Sequence, residues 1–76
     1  MRYSLYLHGH EPEPQFVQTA HTIEALQKNR DTLCRWVSEM GIEVRDPKGK
    51  TLVIYDNGTP LFQIPYASLK RVWVKF

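Results

Sequence analysis

The residues best suited by type and spacing to do chemistry lie in the first half of the chain. His8-Gly9-His10-Glu11 sets two imidazoles and a carboxylate within four positions, and folding could bring His21 and Cys34 to them. Such a set would serve zinc ligation or a Cys-His nucleophilic pair. Structural zinc takes four converging ligands, commonly as two close pairs such as CxxC or HxxxH, and here the second pair is missing. Cys34 falls inside a helical stretch, away from the helix N-terminus that would favour a thiolate, so it reads as a small apolar filler at the edge of the core. The sequence contains no nucleophile elbow, P-loop, glycine-rich phosphate loop or paired-carboxylate arrangement, and a 76-residue chain has little room to enclose a substrate. The expectation is a non-enzyme with no metal and no cofactor.

A second group lies near the end of the sequence. Arg71-Val72-Trp73-Val74-Lys75 alternates as a strand does, with Val72, Val74 and Phe76 on one side and Arg71, Trp73 and Lys75 on the other; a half-buried strand turns the second set outward, whereas a strand hydrophobic throughout turns Trp73 inward. An exposed indole between two cations can stack on a base or anchor in a protein pocket. Lys48, Lys50 and Lys70 add positive charge nearby. Residues 1–41 hold four basic and five acidic groups and residues 42–76 hold six and three, so the excess in the second half is +3. That is far from a dense basic stripe, and the RRM aromatic motif, the KH GxxG loop and zinc-finger spacing are all missing. Nucleic acid therefore ranks behind protein as the expected partner.

These groups must be positioned by a single domain spanning residues 1–76, since no linker, repeat or low-complexity stretch divides the chain. Arg2–His8 alternates, with Tyr3, Leu5 and Leu7 on one side, and predicts a first strand. Gly9–Gln15 carries two prolines and reads as a loop, after which Phe16–Thr19 offers a short second strand. The period then becomes helical over Thr22–Met40, with Leu26, Leu33, Val37 and Met40 on one stripe. Thr22 suits the N-cap, and Gly41 suits the left-handed residue after the helix, with Ile42 folding back as in a Schellman motif. The single cysteine excludes an intrachain disulfide and suits a reducing compartment. Met1-Arg2 is followed by YSLYLHGH, too short and polar for a signal peptide, so a cytoplasmic location with no membrane association is expected.

The second half reads as a meander, Ile42–Arg45, Thr51–Tyr55 and Thr59–Ile64, joined by turns at Asp46–Lys50 and Asp56-Asn57-Gly58. A two-residue Asn57-Gly58 turn would set Leu52 against Gln63 and mix an amide with the aliphatics. A three-residue loop with Gly58 as a bulge sets Ile54 against Pro60 and Leu52 against Phe62, and puts Ile42, Val44, Leu52, Ile54, Phe62 and Ile64 on one face. Tyr66–Leu69 suggests a helical turn, and Lys70–Phe76 a last strand. The fold class expected is α+β, a single helix packed on one face of a mostly antiparallel sheet of about five strands.

The opposite face then displays Glu43, Arg45, Thr51, Val53, Tyr55, Thr59, Leu61 and Gln63, with Val53 directly across from Leu61. An apolar centre with a polar border on an uncovered sheet is a partner surface, although small sheets also expose such residues because they suit a pleated strand. Arg45, Val53, Tyr55, Leu61, Gln63, Arg71, Trp73 and Lys75 are the expected protein-binding residues. The expected role is a stand-alone regulator or inhibitor of a larger protein, a class to which viral inhibitors of bacterial defence such as anti-CRISPR proteins belong. A homodimer through an unblocked sheet edge is compatible with the same pattern. The competing expectation is a nucleic-acid-binding module built on Trp73, Tyr55 and the basic residues of the second half.

Overall fold

Two alternating segments, Tyr3–His8 (β1) and Thr51–Asp56 (β3), form the centre of the sheet in a computed structural model that describes residues 1–76. They pair antiparallel, Leu5 opposite Ile54 and Leu7 opposite Leu52. Gln15–Ala20 (β2) flanks β1, Thr59–Pro65 (β4) flanks β3, and Val74–Lys75 (β5) closes the far edge, so the order is β2-β1-β3-β4-β5, antiparallel throughout. The one α-helix, Arg30–Glu39 (α1), lies on one face of this sheet. The protein is an α+β domain with one helix against five strands.

Leu5, Leu7, Leu52, Ile54 and Ile64 from the sheet meet Leu33 and Val37 of the helix in one core, joined by Val17, Leu26 and Leu69. The helix is shorter than its apolar stripe suggests. Asn29 sits in extended geometry with its side-chain oxygen accepting the Thr32 N–H at 3.0 Å, and a residue that competes in this way for backbone donors starts a helix and does not lie within one. Thr22 caps only a local turn, accepting the Ala25 N–H at 3.2 Å. Leu26 reaches the core from that turn, while Met40 at the end of the stripe is 48% exposed. The C-terminus is as expected: Gly41 has φ +75°, its N–H bonds to the Ser38 carbonyl at 3.0 Å, and the Ile42 N–H bonds to that of Val37 at 3.3 Å.

Ile42–Arg45 is not a strand. The place beside β3 expected for this segment is taken by β1, which brings six alternating residues where the segment leaving Gly41 could offer four. Pro47–Gly49 forms a 3₁₀ turn in place of a hairpin loop.

The β3–β4 hairpin is neither of the two alternatives read from the sequence. Asn57 (φ +49°) and Gly58 (φ +88°) form a two-residue turn with Asp56 opposite Thr59. Leu61 is then an extra residue, because the register passes from Tyr55–Pro60 to Ile54–Phe62. This bulge restores what the tight turn would have cost: Leu52 faces Ile64, Val53 faces Gln63, and Phe62 and Ile64 join the helix side. The expected grouping of Leu52, Ile54, Phe62 and Ile64 on one face therefore holds, but Val53 does not face Leu61. Val17 does the same in β2, interposed where the register shifts from Leu5–Gln18 to Tyr6–Phe16, and is buried in the core.

In β5 the expected faces are exchanged. Val74 pairs with Gln63 and Lys75 with Phe62, so Val74 lies on the open side and Trp73 packs against the core, its indole N–H buried without an acceptor. Val72 is 71% exposed. Burying the larger ring wins over the two valines, since one face of this short strand is covered and the indole removes more apolar area from water.

Candidate functional site: the uncovered sheet face

The face away from α1 is built by the register of the five strands. One row runs across the whole sheet as Phe16, Tyr6, Val53, Gln63 and Val74. A second row is Thr19, Ser4, Tyr55 and Pro60, and a third is His8, Thr51 and Pro65. None of these twelve positions is Asp, Glu, Lys or Arg. In a chain with eighteen formally charged side chains, an uncharged surface of this extent is the feature that most needs a cause.

Aromatic rings occupy its centre. Tyr6 meets Phe16 edge-on with centroids 5.6 Å apart and Tyr55 edge-on at 5.4 Å, and His8 stacks on Tyr55 at 5.8 Å. Val53 lies in the middle of this frame and is only 5% exposed although no helix or strand covers it. The Tyr55 hydroxyl and His8 Nε2 are hydrogen-bonded, which requires Nε2 to be the bare nitrogen if the phenol donates. Burial lowers the His8 pKa below its ordinary 6.5, so the ring is neutral near pH 7, and burial with the neighbouring Tyr6 raises that of Tyr55. A shallow cavity of about 330 Å³ opens between Ser4, Tyr6, Tyr55, Pro14 and Gly58, at the hairpin end of the face. The surface can thus offer ring edges, hydroxyls and an amide to a partner without introducing a fixed charge.

The residues expected to form the site are divided by the fold. Val53, Tyr55 and Gln63 share the open face. Leu61 is half-buried at the bulge, Arg45 lies in the irregular segment beside Glu43 with Nε 3.3 Å from its carboxylate, and Arg71 is exposed in the bend before β5. Lys75 is on the helix side of its strand with the inward Trp73. Tyr6, His8 and Phe16 were not among the expected residues. The signal was present, since Arg2–His8 alternates and both of its faces carry large side chains, but the partner strand of β1 was not known.

The charges closest to the sheet ends are already paired. Arg2 binds Asp56 through two hydrogen bonds of 2.7 and 2.8 Å, which hold the Asp56 carboxyl below its usual range. Lys50, only 7% exposed, bonds both oxygens of Glu11 at 2.7 and 2.8 Å and depresses the Glu11 pKa, while His10 lies 3.5 Å from Asp46. A polar cleft of about 390 Å³ surrounds these groups. The His8-Gly9-His10-Glu11 run is therefore spread over three separate partners, and no three His, Cys, Asp or Glu side chains converge. Cys34 accepts a weak bond from the Tyr66 hydroxyl at 3.7 Å, and burial followed by this contact pushes the Tyr66 pKa up to about 12.

Fold and face together define a small α+β domain with one closed and one open sheet surface. No protein-family model matches the chain, and neither a curated protein nor a solved structure does. No helix is long and apolar enough to cross a membrane.

Proposed function

We propose that this chain is a non-enzymatic protein-binding module, a regulator or inhibitor of a larger protein in the manner of small phage-encoded inhibitors, that works in the cytoplasm through its open sheet face. The observation that carries the reading is the uncharged aromatic surface of Tyr6, Phe16, Val53 and Tyr55, because interface centres are depleted of charge and rich in Tyr and Phe. The same observation weighs against a nucleic-acid module, which would need free cations beside its rings. Arg2 and Lys50 are engaged with carboxylates, and Trp73 is turned inward.

The test is affinity capture from bacterial lysate with tagged wild type, Phe16→Glu and Lys75→Ala, washed at low and high salt with and without nuclease. The expected result is a discrete protein retained at high salt and after nuclease, lost with Phe16→Glu and kept with Lys75→Ala. Capture that vanishes with nuclease or salt, or that depends on Lys75 and not on Phe16, would overturn the reading in favour of nucleic acid.

A further inference from the structure

A strand at the edge of a sheet leaves one row of N–H and C=O groups unpaired, and that row templates any further strand that meets it. Which residues carry the row in β2 follows from the ladder on the other side of β1. The Asn57 N–H bonds to the Arg2 carbonyl at 3.3 Å, so Arg2, Ser4 and Tyr6 direct their backbone groups to β3, and Tyr3, Leu5 and Leu7 direct theirs to β2. Their partners Ala20, Gln18 and Gln15 are thereby paired inward. Phe16 and Thr19 are left with backbone groups that point away from the sheet, and no backbone hydrogen bond outside the ladders reaches residues 15–20.

Two features keep this row from acting as a template. The Thr19 N–H is already bonded to the side-chain carbonyl of Gln18 at 3.2 Å, so an amide with the chemistry of a peptide group stands where the carbonyl of a further strand would lie. The extra residue Val17 sets Phe16 and Thr19 three positions apart, whereas a regular strand turns every second residue outward. Little else protects β2, since Gln15–Ala20 carries no charge and no proline and Phe16 is 39% exposed beside the row. The opposite edge is blunted by other means. The Phe76 N–H bonds to the Leu61 carbonyl at 2.9 Å, so Val74 pairs inward and Lys75, a cation, is the one residue of the short β5 with outward backbone groups.

We propose that the Gln18 amide is an autoinhibitory cap on β2, which holds the Thr19 donor and so closes the long edge of the sheet to strand addition, whether by a second copy or by an extended segment of another protein. The cap acts whatever the open face binds. One consequence rests on the reading of that face as a protein-binding surface: a partner docks on the face and not along the edge. Removing the amide leaves a bare donor on an uncharged strand, and in a solution of the pure protein the strand that meets it is the β2 of another copy.

The experiment is sedimentation velocity of the full chain, Gln18→Met and Gln15→Met from about 5 to 500 µM near neutral pH, a range that spans micromolar association. Met keeps the length of Gln and removes the amide. Gln15 lies on the same side of β2 but pairs inward with Leu7, so its variant adds the same apolar surface without baring the edge. Wild type and Gln15→Met should stay monomeric, and Gln18→Met should self-associate as its concentration rises. Gln18→Met that remains monomeric overturns the proposal, as does equal association of Gln15→Met, which is then due to apolar surface alone. Wild type that already associates with new protection of the Thr19 amide shows an open edge and overturns it too. Amide exchange of wild type tests the cap with no variant at all: corrected for intrinsic rates, Thr19 should exchange roughly fivefold slower than Phe16, which also points outward but has no side-chain acceptor. Thr19 exchanging as fast as Phe16 overturns the cap even if Gln18→Met fails to fold. None of these readouts involves lysate capture, so the cap and the binding reading of the open face stand or fall separately.

Discussion

The two faces of this sheet are made by the same strands and solved in different chemistries. The helix side is aliphatic, with Leu5, Leu7, Leu52, Ile54 and Ile64 all at most 1% exposed. The open side interleaves Tyr, Phe and His with Ser, Thr and Gln. Aliphatic side chains have nothing to offer water and must stay covered, whereas a tyrosine keeps a hydroxyl for solvent and a ring for a partner. The contrast separates a surface committed to folding from one that tolerates contact with water.

The strongest way to break the contrast is to shift the register below the bulge. Deleting Gln63 would set Ile64 against Val53 on the open side and Pro65 against Leu52 on the core side. Moving a buried Ile into partial exposure costs about 1.5–3 kcal/mol before the lost packing around Leu52 is counted. The expected outcome is a large loss of stability in the urea transition, and a native-like transition would show that the pairing of Leu52 with Ile64 does not hold the faces apart.

Single truncations should rank by face. Ile54→Ala should cost about 2–5 kcal/mol, because a fully buried methyl-bearing group leaves a cavity, while Phe16→Ala across the sheet should cost about 1 kcal/mol or less, mainly its edge contact with Tyr6. Paired urea melts decide this, and equal losses would mean the open face carries as much folding energy as the closed one. Asn29→Ala should cost about 1 kcal/mol through the lost cap. Because α1 touches only the closed side, its amide shifts should spread through Leu33, Val37 and Ile54 and leave Tyr6 and Tyr55 in place.

What could be read from the sequence follows the range of each interaction. The Schellman end at Gly41, the alternation of Arg2–His8 and the sharing of one face by Leu52, Ile54, Phe62 and Ile64 are local or nearly so, and all are present. The pairing of β1 with β3 is not local: about fifty residues separate Leu5 from Ile54, and no periodicity reports which strand a neighbour chooses. That single unknown removed Ile42–Arg45 from the sheet, took Arg45 from the site and brought Tyr6, His8 and Phe16 into it. The direction of Trp73 was not legible for a different reason, since Val-Trp-Val alternates equally well in either direction and only packing of the ring against the core decides. The buried Lys50 was hidden because its partner Glu11 lies 39 positions away, in a loop with no pattern of its own.

The smallest effect separates the faces by pH. On the open side, the folded His8 pKa lies below its ordinary 6.5, so the unfolded chain takes up the proton first. Stability from the neutral ring is present above about pH 6.5 and is lost as the pH falls through the lowered folded value. Glu11 and Asp56, held down by Lys50 and Arg2, act later: their contributions are present above their ordinary values of 4.5 and 3.8 and disappear as the pH falls through the depressed ones. Thermal melts between pH 7.5 and 3 should therefore fall in two stages. His8→Gln should remove the upper stage and leave the lower, while Glu11→Gln should shrink only the lower and, by leaving the Lys50 ammonium buried without its carboxylate, reduce the melting temperature at pH 7 as well. A single stage abolished by neither substitution would mean that the imidazole on the open face is as well solvated as an exposed one, and burial would lose its role in keeping that face uncharged.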